Sequence, residues 1–186
     1  MNNIAWIGFS LSALTSAGSV LLSVALHRKF ENLKKSLPVM RPAHQDSAFP
    51  KMGSRLPAFT VRAVDGTVVS SAEFETGPAL IAFFSAGCGA CAEQFPALRE
   101  AVAAHTYGPA PLAVVDGPTP ELRAAYVAEL TGFVRVIEGD DAELLRGEFG
   151  VKGWPTLVLA HDGVIRAAGV SMRGIAAALG ESPMVR

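Results

Sequence analysis

Both cysteines of the chain lie in one tetrapeptide, Cys88-Gly89-Ala90-Cys91. Two intervening residues bring a pair of sulfurs close enough to close a disulfide. The surroundings separate their roles, because the apolar run Ala79–Ser85 before the pair reads as a strand and the stretch 89–104 after it as a helix. Cys88 is then expected at a helix N-terminus, where unpaired backbone N–H groups and the helix dipole favour a thiolate. Such a thiolate both attacks and leaves readily in disulfide exchange. Cys91, one turn in, is set to attack a mixed disulfide formed at Cys88. Two other readings compete: inert buried thiols, and a metal site. Zinc would need two further ligands, and of four histidines only His105 and His161 fall in the region expected to fold. No metal and no other cofactor is therefore expected.

The elements that must position this tetrapeptide follow from local pattern. Phe59–Val64 and Thr67–Val69 flank Asp65-Gly66, a two-residue hairpin signal. Ser70-x-x-Glu73 is a capping box opening a short helix. Ala79–Ser85 (ALIAFFS) is the continuous apolar run of a strand buried on both faces. The helix from about Gly89 to Ala104 is interrupted by Pro96. Leu112–Val115 predicts a strand, Thr119 caps a helix beginning at Pro120, and Val134–Ile137 predicts another buried strand. Asp140 or Asp141 caps a helix through Leu144, Leu145 and Phe149, ended by Gly150. Thr156–Ala160 and Val164–Ala168 surround a second hairpin turn, Asp162-Gly163, and Ser171 caps a last helix, Met172–Leu179. Strand–helix–strand units followed by a hairpin and a terminal helix give a mixed α/β sheet covered by helices.

Charge divides the 186 residues into three zones. Residues 1–26 carry no charged side chain, residues 27–55 carry seven positive and two negative ones, and the rest is net acidic. Ile4–Leu26 is long enough, at roughly 34 Å of helix, to cross a hydrocarbon core of ~30 Å. A cleaved signal peptide fits less well, because no basic residue precedes the run and the run is too long. Gly8, Ser12, Thr15, Ser16, Ser19 and Ser23 form a small-residue stripe, readable as a helix–helix contact or simply as the common content of spanning helices. The expected organisation is a transmembrane helix (1–26), a basic Pro-containing linker (27–52) that can touch anionic lipid, a folded domain (53–182) and a short tail (183–186). The overall charge of −1 argues against nucleic acid as a partner, and two cysteines exclude a multi-disulfide scaffold.

Leu80–Cys91 (LIAFFSAGCGAC) and Phe149–Ile165 (FGVKGWPTLVLAHDGVI) resemble the two diagnostic stretches of the thioredoxin superfamily. Met52–Ser70 is similar to the N-terminal hairpin of its membrane-anchored TlpA/ResA-type branch. FFSAGCGAC with the downstream Pro96 resembles the MauD-like methylamine dehydrogenase accessory proteins, which share an N-terminal membrane helix. The resemblance covers about 53–182. It implies a thioredoxin-like α/β fold with an N-terminal β-hairpin and a central insertion at roughly 112–138, preceded by one transmembrane helix. It further implies a cis Pro155 packed against the cysteine pair and a Trp154 whose backbone pairs with an extended substrate segment. The Trp154 ring reads equally well as a core or lid aromatic. The sequence also departs from the family. Ala82 stands where many thioredoxins carry a buried acid, Gly87 where an aromatic often precedes the first cysteine, and Gln94 where the TlpA/ResA branch commonly has an acid. Water or Glu93 are the candidates for taking the Cys91 proton.

The resulting expectation is a membrane-tethered thiol–disulfide oxidoreductase. It would act through Cys88 and Cys91 on a protein substrate, as a reductase or in maturation of a partner, fed by a membrane or soluble electron donor. A peroxiredoxin-like peroxidase is the first alternative: Ser85-x-x-Cys88 partly matches its pattern, but Ile81 stands where that pattern has proline. A non-enzymatic binding module anchored by 4–26 is the second. Topology is pulled both ways. The basic flank Arg28, Lys29, Lys34 and Lys35 favours the cytoplasmic side, while the resemblance favours the extracytoplasmic side, which is the expectation adopted.

Overall fold

The computed structural model describes residues 49–175. The expected transmembrane helix with its small-residue stripe, the linker up to residue 48, the end of the terminal helix and the tail lie outside the described residues. Among those described, no helix is long and apolar enough to cross a membrane.

Strands β1 (Thr60–Arg62) and β2 (Val68–Ser70) pair antiparallel, with Thr60 opposite Ser70. Their connection is one residue wider than the two-residue turn expected. The Ala63 N–H donates to the Thr67 carbonyl (2.9 Å) and the Gly66 N–H to the Ala63 carbonyl (2.8 Å), leaving 64–66 as the loop. Gly66 takes φ +85°, the left-handed residue that closes a three-residue hairpin. The Asp65 carboxylate accepts from both the N–H and the hydroxyl of Thr67, at 2.9 and 2.7 Å, and locks that wider form. The capping box forms as read: Ser70 and Glu73 open a 3-10 turn at Ser71–Phe74.

Among the described residues five strands make the main sheet, in the order β5 (Arg135–Glu138), β4 (Leu112–Asp116), β3 (Pro78–Ser85), β6 (Thr156–His161), β7 (Val164–Gly169). β3, β4 and β5 run parallel; β6 and β7 are antiparallel additions. β3 is central and buried along its inner six residues, which explains its unbroken apolar run. Leu80, Ala82 and Phe84 face one apolar layer, and Ala79, Ile81 and Phe83 the other. The first layer holds α1 (Gly89–Ala92), α2 (Phe95–Ala104), α3 (Pro120–Leu130) and the helical turn 172–175; the second holds the β1–β2 hairpin and α4 (Asp140–Glu148). The region expected as an insertion, 112–138, is a β4–α3–β5 unit. β4 lies inside the sheet, so only α3 and the edge strand β5 are added at its margin.

Neither Asp140 nor Asp141 caps α4. Gly139 is the N-cap, at φ +67°, and the Asp141 carboxylate instead accepts the Arg62 N–H at 2.9 Å. A backbone donor 79 residues away outcompetes the local cap. The second hairpin turn is as read: Asp162 and Gly163, both at positive φ (52° and 69°), form the two-residue turn that matches strand twist. Along the outer side of β7, the Gly53 N–H donates to the Ile165 carbonyl, and the Ile165 N–H to the Ser54 carbonyl. The Leu56 N–H donates to the Gly163 carbonyl.

Candidate active site

The parallel strands β3, β4 and β5 end, and β6 begins, on one side of the sheet. The chain leaves β3 there, turns through Gly87 at φ +88°, and enters α1 with Cys88 as its N-cap residue. The Cys88 carbonyl accepts the N–H groups of Cys91 (3.0 Å) and Ala92 (3.3 Å), so one helical turn stacks Cys91 behind Cys88. The helix then breaks. Glu93 and Gln94 separate α1 from α2, where Pro96 is tolerated in the first turn because no intrahelical N–H bond is required there. The helical stretch expected over 89–104 is thus two helices, broken at Glu93 and Gln94 just ahead of Pro96, and Cys88 heads one of only four residues.

The two thiols are free and differ in environment: Cys88 is half-buried and Cys91 has no exposed surface. Burial pushes the Cys91 thiol up, from an ordinary 9.0 to about 12. Its hydrogen bond to the Cys88 sulfur and the negative charge that sulfur can carry act in the same direction, while the Ser85 backbone opposes them. No carboxylate among the described residues acts on Cys91. Ala82 is buried beside Leu157 in the β3–β6 ladder, filling with a methyl group the place where a buried acid would stand. The Gln94 side-chain carbonyl accepts the Met172 N–H at 3.1 Å and ties the last helical turn to α2. Glu93 is exposed and lines a surface groove with Pro96, Glu100, His105 and Arg173.

The Trp154–Pro155 peptide bond is cis. β6 pairs with β3 up to Thr156 opposite Phe83, so continuing the register sets Pro155 and Trp154 level with Phe84 and Ser85, beside the turn that delivers Cys88. Pro155 is buried; Trp154 is partly buried against both apolar layers. The buried Thr156 hydroxyl donates to the Gly153 carbonyl at 2.8 Å and closes the bend around the pair. His161 lies at the opposite end of β6, exposed, with Nδ1 3.0 Å from an Asp162 carboxylate oxygen. Glu138 pairs with Arg123 at 3.7 Å.

One site residue has no local sequence signal. The Tyr126 hydroxyl, on α3, donates to the Cys88 carbonyl at 2.8 Å. A periodic stripe was available, since Arg123, Tyr126, Val127 and Leu130 form the inward face of α3, but nothing in the sequence says what that face meets.

No protein-family model matches the sequence, and no curated protein does. Solved structures do. The chain is similar to the thioredoxin domain of a thiol-disulfide oxidoreductase from Bacteroides vulgatus, at 22% identity and a TM-score of 0.58, over 68% of this chain and 96% of that one. A thio-disulfide isomerase from Thermus thermophilus matches at 21% identity and 0.57, over 72% and 99%. A secreted Mycobacterium tuberculosis disulfide oxidoreductase, described as homologous to E. coli DsbE, matches at 17% and 0.55, over 67% and 96%. The fold is thioredoxin-like. Within this thioredoxin-like domain the cysteine pair and the cis-proline bend stand at the same end of the central strand.

Proposed function

We propose that this chain is a thiol–disulfide oxidoreductase that passes electrons to a disulfide in a protein substrate. The observation that carries the reading is the asymmetry of one CxxC turn: a half-buried Cys88 at the head of α1, and a fully buried Cys91 bonded behind it. The Cys88 thiolate attacks one sulfur of the substrate disulfide, forming a mixed disulfide and releasing the other sulfur as a thiolate. Cys91 then loses its proton to water and attacks the Cys88 sulfur. The Cys88–Cys91 bond forms, the bond to the substrate breaks, and the substrate leaves with both electrons. Burial outweighs the Ser85 backbone contact at Cys91, so this sulfur adds no thiolate stabilisation to the reduced pair that would hold electrons back, which suits a reductant. The solved structures it resembles include oxidoreductases and an isomerase of disulfides, in keeping with a protein disulfide as substrate.

The uncharged run 4–26 would tether the domain to a membrane, with the domain on the extracytoplasmic side and a separate donor re-reducing Cys88–Cys91. Expression of a Cys91→Ser variant tests the chemistry. It should accumulate mixed disulfides that dithiothreitol releases, and a Cys88→Ser variant should accumulate none. Equal trapping by both variants would refute the assignment. For the tether, a membrane-impermeant thiol reagent should label Cys88 in intact cells; labelling only after lysis would reverse the topology.

A further inference from the structure

We propose that Tyr126 is a positioning residue for the thiol pair: from α3 its hydroxyl holds the Cys88 carbonyl, and through it the turn that keeps Cys91 in line behind Cys88. This inference rests on the disulfide-exchange reading above and names the residue that sets its second step. The bond is 2.8 Å long and spans 38 residues of sequence. The carbonyl it reaches is the one that accepts the Cys91 and Ala92 N–H groups, so the hydroxyl fixes the acceptor on which the whole turn is built.

The hydroxyl is itself held. The Tyr126 ring meets the Phe95 ring edge-on at 5.1 Å, and Phe95 meets Phe84 of β3 edge-on at 5.1 Å. The two residues before Cys88 rest on the same margin of the sheet. The Ala86 N–H donates to the Asp116 carbonyl at 2.7 Å. Gly117 comes so close to Ala86 that an added Cβ would lie 2.7 Å from the Ala86 Cβ, and a Cβ on Gly87 would stand 3.8 Å from Leu122. Residues 86 and 88 are therefore each held by the 116–126 segment. The support matters because α1 has only four residues and breaks before α2, so it cannot rely on a long helix to fix its first turn. Burial, then the two neighbouring cysteines, hold the Tyr126 proton on, so the group stays a donor.

The first attack needs only an accessible Cys88 sulfur. The second needs the Cys91 sulfur held in line with the Cys88–substrate bond, and rate in such intramolecular steps depends on how tightly geometry is kept. Without the hydroxyl the turn keeps its two helical N–H bonds but loses its outside anchor, and the second step slows.

The full chain in detergent, reduced and mixed with excess 5,5′-dithiobis(2-nitrobenzoate), reads both steps as two successive releases of thionitrobenzoate. Tyr126→Phe keeps the ring against Phe95 and deletes the O–H. Its second release should slow about tenfold, the upper end for one lost hydrogen bond, with the first release within about twofold of wild type. Val127→Ala, which thins the packing of the same helix without touching the carbonyl, should leave the ratio of the two rates unchanged. Amide exchange at Cys91 and Ala92 should quicken in Tyr126→Phe alone. A second release within about twofold of wild type in Tyr126→Phe overturns the inference, as does an equal slowing in Val127→Ala. A wild-type chain that shows no second release refutes the disulfide-exchange reading itself.

Discussion

On the proposed exchange reading, burial of the Cys91 thiol should make the second step steeply dependent on pH. An ordinary thiol at 9.0 is a thiolate in roughly 1 of 100 molecules at pH 7; one at about 12 is a thiolate in roughly 1 of 100,000. The ratio, on the order of a thousandfold, corresponds to about 4 kcal/mol. Part of that shift comes from the Cys88 sulfur and disappears once Cys88 is tied up in a mixed disulfide, but burial, the largest cause, persists. The resolving rate should therefore rise about tenfold per pH unit from pH 6 to beyond 9, without levelling. Stopped-flow mixing of reduced protein with an aromatic disulfide isolates this rate as the slower release of chromophore. A plateau below pH 9 would refute the reasoning, because it would require a group that takes the Cys91 proton or a far less buried sulfur.

The same shift links stability to pH. Cys91 is raised in the folded state, so its contribution is fully present below about 9, the unfolded value, and is lost as pH rises from there towards 12. Urea titrations of the reduced protein should show this alkaline loss beginning near pH 9, and Cys91→Ser should keep only the later loss from the raised Tyr107 and Tyr126 phenols. Gly117→Ala should cost about 1–3 kcal/mol, since its methyl group would press on Ala86 at 2.7 Å and on Arg123 at 3.1 Å; thermal unfolding measures it. Gln94→Ala removes the acceptor for the Met172 N–H, and should cost about 1 kcal/mol and speed amide exchange at Met172.

Most of the frame around the site was legible because local rules govern it. The apolar run of β3 has no exposed face to pattern, Ser70 and Glu73 cap within four residues, and Asp162-Gly163 supplies the two positive φ values of its turn from adjacent positions. The two misreadings have different causes, one distant and one local. At Asp141 a donor from Arg62 replaced the local cap, and at Asp65 a grip on Thr67 widened the loop by one residue. Within the candidate site, spacing singles out Cys88 and Cys91, and the resemblance adds Pro155 and Trp154. Tyr126 stayed hidden because its value lies in a contact across 38 residues that depends on how α3 settles on the sheet.

The short run of backbone bonds between residues 53–56 and the 163–165 segment has a consequence for self-association. Among the described residues β7 is the last strand on its side, and a terminal strand with bare N–H and C=O groups is a template for a second copy of the chain. Here Gly53 and Ser54 already occupy the outward groups of Ile165, and Leu56 the carbonyl of Gly163. At the start of β7 an incoming strand would have to peel this segment away, so the residues that lead into the domain guard that part of the edge against fibre-like stacking. A chain shortened to begin after Leu56 would bare that edge, and its solubility would fall before its fold did.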